Sequence, residues 1–266
     1  MPFDEFTRWC QGLERHLDPA ARMSHFLSLE LGQEVVADAF QVEAITSTAP
    51  IVAMRICRQA GKSCVLATRA VMELEKGGTV IAVAQAERFA KELARKVAIY
   101  LRGTDMVTER STLTEIEVNT GGRFIAVPAS SATIRGYTAT LILGDEVAFW
   151  EGGGEDMIAS VAPMLTLEGQ LFLASTPAGK ENYFAKLFID ENGRLRTDND
   201  VHRIVVRGTE IPRMAGKVQK LRETLSATKF RQEVEVEMLS DGVSYYDLSL
   251  IEQATNMQEG AICPRM

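Results

Sequence analysis

Arg58-Gln59-Ala60-Gly61-Lys62-Ser63 is the stretch whose reading decides the fold. It follows a β-branched and apolar run over 51–57. It precedes a helix-compatible segment over 64–76 that stops at Gly77 and Gly78. Strand, loop and helix in that order are the setting a phosphate-binding loop requires. Gly61 lets backbone N–H groups close on a polyphosphate where a side chain would obstruct them. Lys62 would neutralise the outer phosphates, Ser63 would ligate Mg²⁺, and the helix from Cys64 adds the positive end of its dipole. The expected nucleotide-binding set is therefore Arg58, Gln59, Ala60, Gly61, Lys62, Ser63 and Cys64. The glycine usual five positions before Gly61 is Ile56 here. Read alone, the stretch also fits an ordinary strand-to-helix turn with an exposed lysine.

Outward from this loop the alternation continues. Residues 79–84 read as a strand and 86–101 as a long helix with Phe89, Leu93 and Val97 at helical spacing. Such alternation builds a parallel sheet. Residues 115–118 and 123–127 flank Asn119-Thr120-Gly121-Gly122, which predicts a hairpin or bent strand pair. Residues 140–143 and 171–174 are short apolar strands, with a helix expected over 155–165 between them. Before the loop, Asp18 and Pro19 form an N-cap and first-turn pair for a helix carrying Met23, Phe26 and Leu27. After it, 190–200 is polar and turn-rich, 202–206 reads as a last strand, and 216–225, 228–238 and 247–254 read as helices. The expected architecture is α/β, a P-loop NTPase of the ASCE type with a mostly parallel central sheet flanked by helices. An N-terminal helical segment (1–40), an ATPase core (41–200), and a last strand with a small helical, lid-like C-terminal subdomain (201–266) divide the chain.

Two further segments carry chemistry. Leu141-Ile142-Leu143-Gly144-Asp145-Glu146 is a buried strand ending in adjacent carboxylates. One acid can serve the Mg²⁺ shell and the next the attacking water, which is the division ATP hydrolysis needs. Asp145 is the expected metal ligand with Ser63, and Glu146 the group that polarises water, with Lys62 and Arg58 completing the catalytic set. Two solvated acids capping a strand is the plainer reading. The interval of about 80 residues from the loop, with two strand signals inside it, fits P-loop ATPases with an extra strand between the motifs. Leu171-Phe172-Leu173-Ala174-Ser175-Thr176-Pro177-Ala178-Gly179 ends a strand in two hydroxyls. At the carboxyl edge of a parallel sheet, Ser175 and Thr176 can sense the γ-phosphate and report hydrolysis to neighbouring elements. In isolation they also fit a simple Ser-Thr-Pro turn.

Composition narrows the classes. The chain has 266 residues, 46% apolar and 24% charged, enough for one large core plus a small appended subdomain. No run approaches the ~20 apolar residues of a membrane span, and residues 1–14 carry no signal-peptide pattern. Cys10, Cys57, Cys64 and Cys263 lack zinc-site spacing and read as reduced thiols. Three scattered histidines, His16, His25 and His202, argue against a histidine metal centre or hydrolase triad. A net charge of −7 is the wrong sign for coating nucleic acid, so DNA contact must be local. Its candidates are Lys91, Arg95, Lys96 and Arg102 on one helix and Arg213, Lys217, Lys220 and Arg222 on another, unless these are solvated faces.

In this order, Arg-Gln-x-Gly-Lys-Ser, Leu-Gly-Asp-Glu-x-Ala and Ala-Ser-Thr-Pro-x-Gly resemble the ATPase motifs of the large terminase subunit of tailed bacteriophages, in its N-terminal ATPase domain. The abbreviated loop with Arg-Gln inside it fits that family better than most P-loop classes. Arg135-Gly136, Asn182, Phe184, Lys229-Phe230-Arg231-Gln232-Glu233, Tyr245 and Tyr246 add to a likeness spanning roughly residues 40 to 255. The resemblance implies an ATPase motor that uses ATP and Mg²⁺ to drive double-stranded DNA through a portal protein into a procapsid. It further implies a homo-oligomeric ring on the capsid, a small terminase subunit as partner, a monomer in solution, the host cytoplasm as location, and no membrane. It makes Arg58 a candidate finger on the γ-phosphate, although a salt bridge inside the fold would explain it as well, and Gln41 an adenine contact. The family's nuclease domain is expected to be absent from this chain, and with it DNA cutting. Gly144 stands where the family has an apolar residue, which is expected to loosen the end of that strand. A helicase-like P-loop ATPase and a non-catalytic, nucleotide-stabilised assembly module are the alternatives. Hydrolysis and strand-displacement assays separate them.

Overall fold

The computed structural model describes residues 18–129 and 136–239. Arg135, Tyr245, Tyr246, the helix expected over 247–254, Cys10, Cys263 and His16 lie outside them. Helix α1 (Pro19–Leu31) starts where the Asp18 carboxylate accepts the Ala20 N–H at 2.9 Å and ends at Gly32 in the left-handed region. Helix α2 (Ala39–Thr46) leads into β1 (Ile51–Ile56), α3 (Lys62–Glu75), β2 (Thr79–Ala84) and α4 (Glu87–Leu101). Strands β3 (Thr108–Ser111), β4 (Glu115–Val118) and β5 (Arg123–Pro128) follow, then β6 (Ala139–Asp145), α5 (Glu155–Val161), β7 (Leu165–Ser175), α6 (Tyr183–Lys186) and β8 (Val201–Val206). Helices α7 (Ala215–Thr224) and α8 (Ala227–Glu233) complete the described chain. None of the described helices is long and apolar enough to cross a membrane.

The eight strands form one sheet in the order β3-β4-β5-β2-β6-β7-β1-β8. Six, from β5 to β8, are parallel, and β4 and β3 extend the sheet antiparallel at one edge. Helices cover both faces, so successive residues of the central strands bury in opposite directions. Val80, Ala82, Leu141 and Leu143 join the core under α1, α3 and α4, where Tyr100 stacks on Phe26 at 5.0 Å. Ile81, Val83 and Ile142 join the opposite core with Trp150, Met157, Ile158, Phe184 and Phe188.

The sequence boundaries shift where local chemistry intervenes. The helix expected over 155–165 stops at Val161, because Pro163 lacks an N–H and disfavours helical backbone before it; a short 3-10 turn takes over at Ala162–Met164. Strand β7 begins at Leu165, and Leu167 in its outer part is fully exposed. The helix expected over 228–238 ends at Glu233, after which Val236 takes a φ of 50° while its side chain is buried.

Candidate functional site

Strand β7 lies between β1, which feeds the Arg58–Ser63 loop, and β6, which carries the acids. The carboxyl ends of the three strands therefore present the loop, the hydroxyls and the carboxylates side by side. The loop turns through Gln59 at φ 61° and Gly61 at φ 102° into the first turn of α3. Among the described residues, the N–H groups of Gly61, Lys62 and Ser63 find no acceptor. These free donors at a helix N-terminus suit an anion. Lys62 is buried, and its ammonium lies 3.2 Å from the Ile56 carbonyl and 3.5 Å from Glu146 Oε1.

Glu146 adopts the left-handed region (φ 51°, ψ 45°), which aims its carboxylate back across the strand ends. Its Oε2 accepts the Thr176 N–H at 3.2 Å and lies 3.3 Å from both the Ser175 and Thr176 hydroxyls. Ser175 also receives the Ala148 N–H at 3.2 Å, which ties β7 to the turn after Glu146. The same turn is pinned by Trp150, whose indole N–H donates to the Asp145 carbonyl at 3.0 Å. Gly144 makes room for this arrangement. A Cβ there would stand 2.7 Å from Leu173 Cδ2, 2.7 Å from Val147 Cγ2 and 3.1 Å from Trp150 Cη2. The glycine thus admits a tight return of the chain over β6, and the expectation of a loosened strand end is corrected.

Asp145 and Ser63 line one cavity of about 260 Å³, together with Glu30 and Lys96. Desolvation, with the neighbouring Glu146 charge, pushes the Asp145 carboxyl up to about 6, and Lys62 offsets only part of the rise. Lys62 pairs with Glu146 instead, so Asp145 is a desolvated carboxylate in need of a cation. A divalent ion between Ser63 and Asp145 fits that donor set. In the ligand-free protein the folded-state value exceeds the ~3.9 of an unfolded aspartate, so folding favours the proton. The resulting stability is fully present below the unfolded value and is lost as the pH rises through about 6. Asp145→Asn is therefore expected to stabilise the ligand-free protein by roughly 2 kcal/mol at pH 8, with little gain at pH 4. Urea denaturation at the two pH values checks this, and an equal gain at both would refute it.

The remaining expected residues are distributed around this centre. The Arg58 guanidinium is held by Glu233 of α8 at 2.6 Å and lies 5.9 Å from the Phe149 ring. Gln232 donates its amide to the Pro177 carbonyl at 2.8 Å, so adjacent α8 residues grip both the loop and the hydroxyl segment. Arg213 spans Asp38 and the Ala60 carbonyl at 2.6 and 2.7 Å. Gln41 is buried against the loop, close to Gly61, and its Oε1 accepts the Asp38 N–H at 2.9 Å. Cys64 joins a cluster with Glu30, Lys96 and the Tyr100 hydroxyl, which donates to Glu30 at 2.7 Å. On α4, Lys91, Arg95 and Lys96 are each paired with a carboxylate. On α7, Arg222 covers the Phe230 ring, while Lys217 is half-buried and Lys220 is exposed. Sequence reasoning read Arg213 only as a candidate DNA contact, not as a partner of the loop, and it missed Trp150 and the grip of Gln232 and Glu233. The last two fall in a stretch singled out by resemblance, but their partners lie 55 residues or more away.

The architecture matches solved large terminases. The ATPase domain of the Thermus phage P74-26 large terminase superposes with a TM-score of 0.63 at 19% identity, covering 79% of this chain and 96% of that domain. The HK97 bacteriophage large terminase gives 0.66 at 15% identity over 88% of this chain and 57% of its own. The large terminase of a thermophilic bacteriophage, solved in complex with ATP-gamma-S, gives 0.60 at 13% identity over 76% of this chain and 52% of its own. The chain thus has the fold of a large-terminase ATPase domain and spans just over half of the longer terminases. No protein-family model and no curated protein matches the sequence.

Proposed function

We propose that this chain is the ATPase motor domain of a phage DNA-packaging terminase, hydrolysing ATP with Mg²⁺ to move double-stranded DNA into a procapsid. The supporting observation is the meeting of Lys62 with Glu146, beside Asp145, at the carboxyl edge of one sheet. In this reading the free N–H groups of Gly61, Lys62 and Ser63 receive the phosphates, and Lys62 exchanges Glu146 for the phosphate oxygens. Glu146 then accepts a proton from the water that attacks the γ-phosphorus, while Ser175 and Thr176 hold its carboxylate in line. Ser63 and Asp145 would hold Mg²⁺, which neutralises phosphate charge. Arg58 is a candidate for the γ-phosphate once released from Glu233, and Gln41 for the base. Ala60, Gln59 and Cys64 contribute through loop backbone and helix start.

Portal protein, small terminase subunit, a ring of copies on the capsid and the host cytoplasm complete the proposal. Free protein is expected to hydrolyse ATP slowly in a Mg²⁺-dependent manner, and Lys62→Ala to weaken nucleotide binding about a hundredfold. Titration with a fluorescent ATP analogue measures the binding. Undiminished affinity in the variant would refute the site, whereas strand displacement without packaging into procapsids would refute the motor.

A further inference from the structure

The amino-terminal edge of the sheet, opposite the loop, carries a second polar site. There the end of α2 with the segment after it, the starts of β6 and β7 and the later turns of α3 border an open cleft of about 630 Å³. Arg69 lines it and is only 6% exposed. An arginine does not shed its proton in a protein, so this is a buried positive charge. Buried charges are normally paired, because an isolated one forfeits its hydration without return. Among the described residues, no carboxylate forms an ion pair with Arg69. Among the same residues its side chain makes one hydrogen bond, from Nη2 to Gln170 Oε1, and its Nε has no partner.

Gln170 is fixed by donating Nε2 to the Ser47 and Ala49 carbonyls at 3.1 and 2.9 Å, so its oxygen is presented to the guanidinium. Glu73, one turn along α3, tempers the charge through space but is itself held by Lys76 at 3.3 Å. Thr48 and Thr166 line the same cleft, and their hydroxyls make no hydrogen bond among the described residues. Guanidinium, free hydroxyls and an exposed lysine are the donor set of an oxyanion site.

We propose that this cleft binds an oxyanion, a carboxylate or phosphoryl group gripped by Arg69, with Thr48 and Thr166 as hydroxyl donors and Lys76 nearby. Because it opens at the sheet edge opposite Lys62, its ligand does not compete with nucleotide.

The test uses the full chain carrying Lys62→Ala, which weakens the nucleotide loop as a second oxyanion site. Inorganic phosphate and glutarate are titrated separately at fixed ionic strength, with calorimetry as the readout. Saturable binding is expected, and the tighter of the two anions tells a phosphoryl from a carboxylate ligand. Adding Arg69→Met is expected to weaken it about tenfold or more. Adding Glu168→Gln, which removes an exposed carboxylate of the same cleft, is expected to tighten it by about twofold. Absence of saturable binding by either anion, or unchanged affinity in Arg69→Met, overturns the proposal. Should Arg69→Met fail to fold, Glu168→Gln and Thr166→Val decide, and unchanged affinity in both overturns it.

Discussion

Glu146→Gln is expected to bind ATP as the parent does and to turn it over about a thousandfold more slowly. The amide is isosteric with the carboxylate, and its oxygen can still accept the Thr176 N–H now found at 3.2 Å. The left-handed backbone at Glu146 is set by its surroundings, through the Trp150 and Ser175 bonds, and not by its charge. What the amide lacks is basicity, so it cannot take a proton from the attacking water. Loss of the Lys62 pair should not impair binding, because Lys62 keeps the Ile56 carbonyl at 3.2 Å until phosphate arrives. Steady-state hydrolysis and equilibrium nucleotide binding, measured on one preparation, separate the two effects. A parallel fall in affinity would give Glu146 a structural role, and an unchanged rate would remove it from the chemistry.

How far the sequence could be read depended on whether a feature was local. The run over 79–84 is β2 residue for residue, because a strand buried on both faces must be apolar throughout. The parallel alternation and the antiparallel return around Gly121 and Gly122 were legible for similar reasons. Strand β3 was not, since Thr108–Ser111 is polar and wholly exposed at the sheet edge and carries no hydrophobic period. Lys62, Glu146, Ser175 and Thr176 were each visible as residues that end a strand or open a helix, and the strand order brings them together. The bonds that orient them were not visible. That Trp150 returns to the Asp145 carbonyl, or that Glu233 reaches Arg58, depends on packing between segments far apart in sequence. Arg69 read as one more residue of a helix, and only the tertiary structure reveals that it is buried without a carboxylate partner among the described residues.

Gly144→Leu, which restores the apolar residue expected before the acid pair, should damage the protein severely. Gly144 does not have a positive φ, so the constraint on it is steric. The three groups a Cβ would meet belong to Leu173, Val147 and Trp150, each no more than 3% exposed, so none can yield toward solvent. Overpacking a dense core costs about 1–3 kcal/mol, and a branched side chain at this spot belongs at or above the upper end. For a chain of this size that lowers the melting temperature by roughly 10 °C. The site should suffer beyond the stability loss. Displacing Val147 and Trp150 releases the bond to the Asp145 carbonyl, and with it the turn that fixes Glu146. The rate of hydrolysis at saturating ATP should therefore fall while the protein is still folded. Thermal unfolding and Mg²⁺-ATPase activity at about 20 °C below the variant's own midpoint check both halves. A melting temperature close to the parent's would show that the packing around Gly144 tolerates the leucine, and the steric account of the turn would fail.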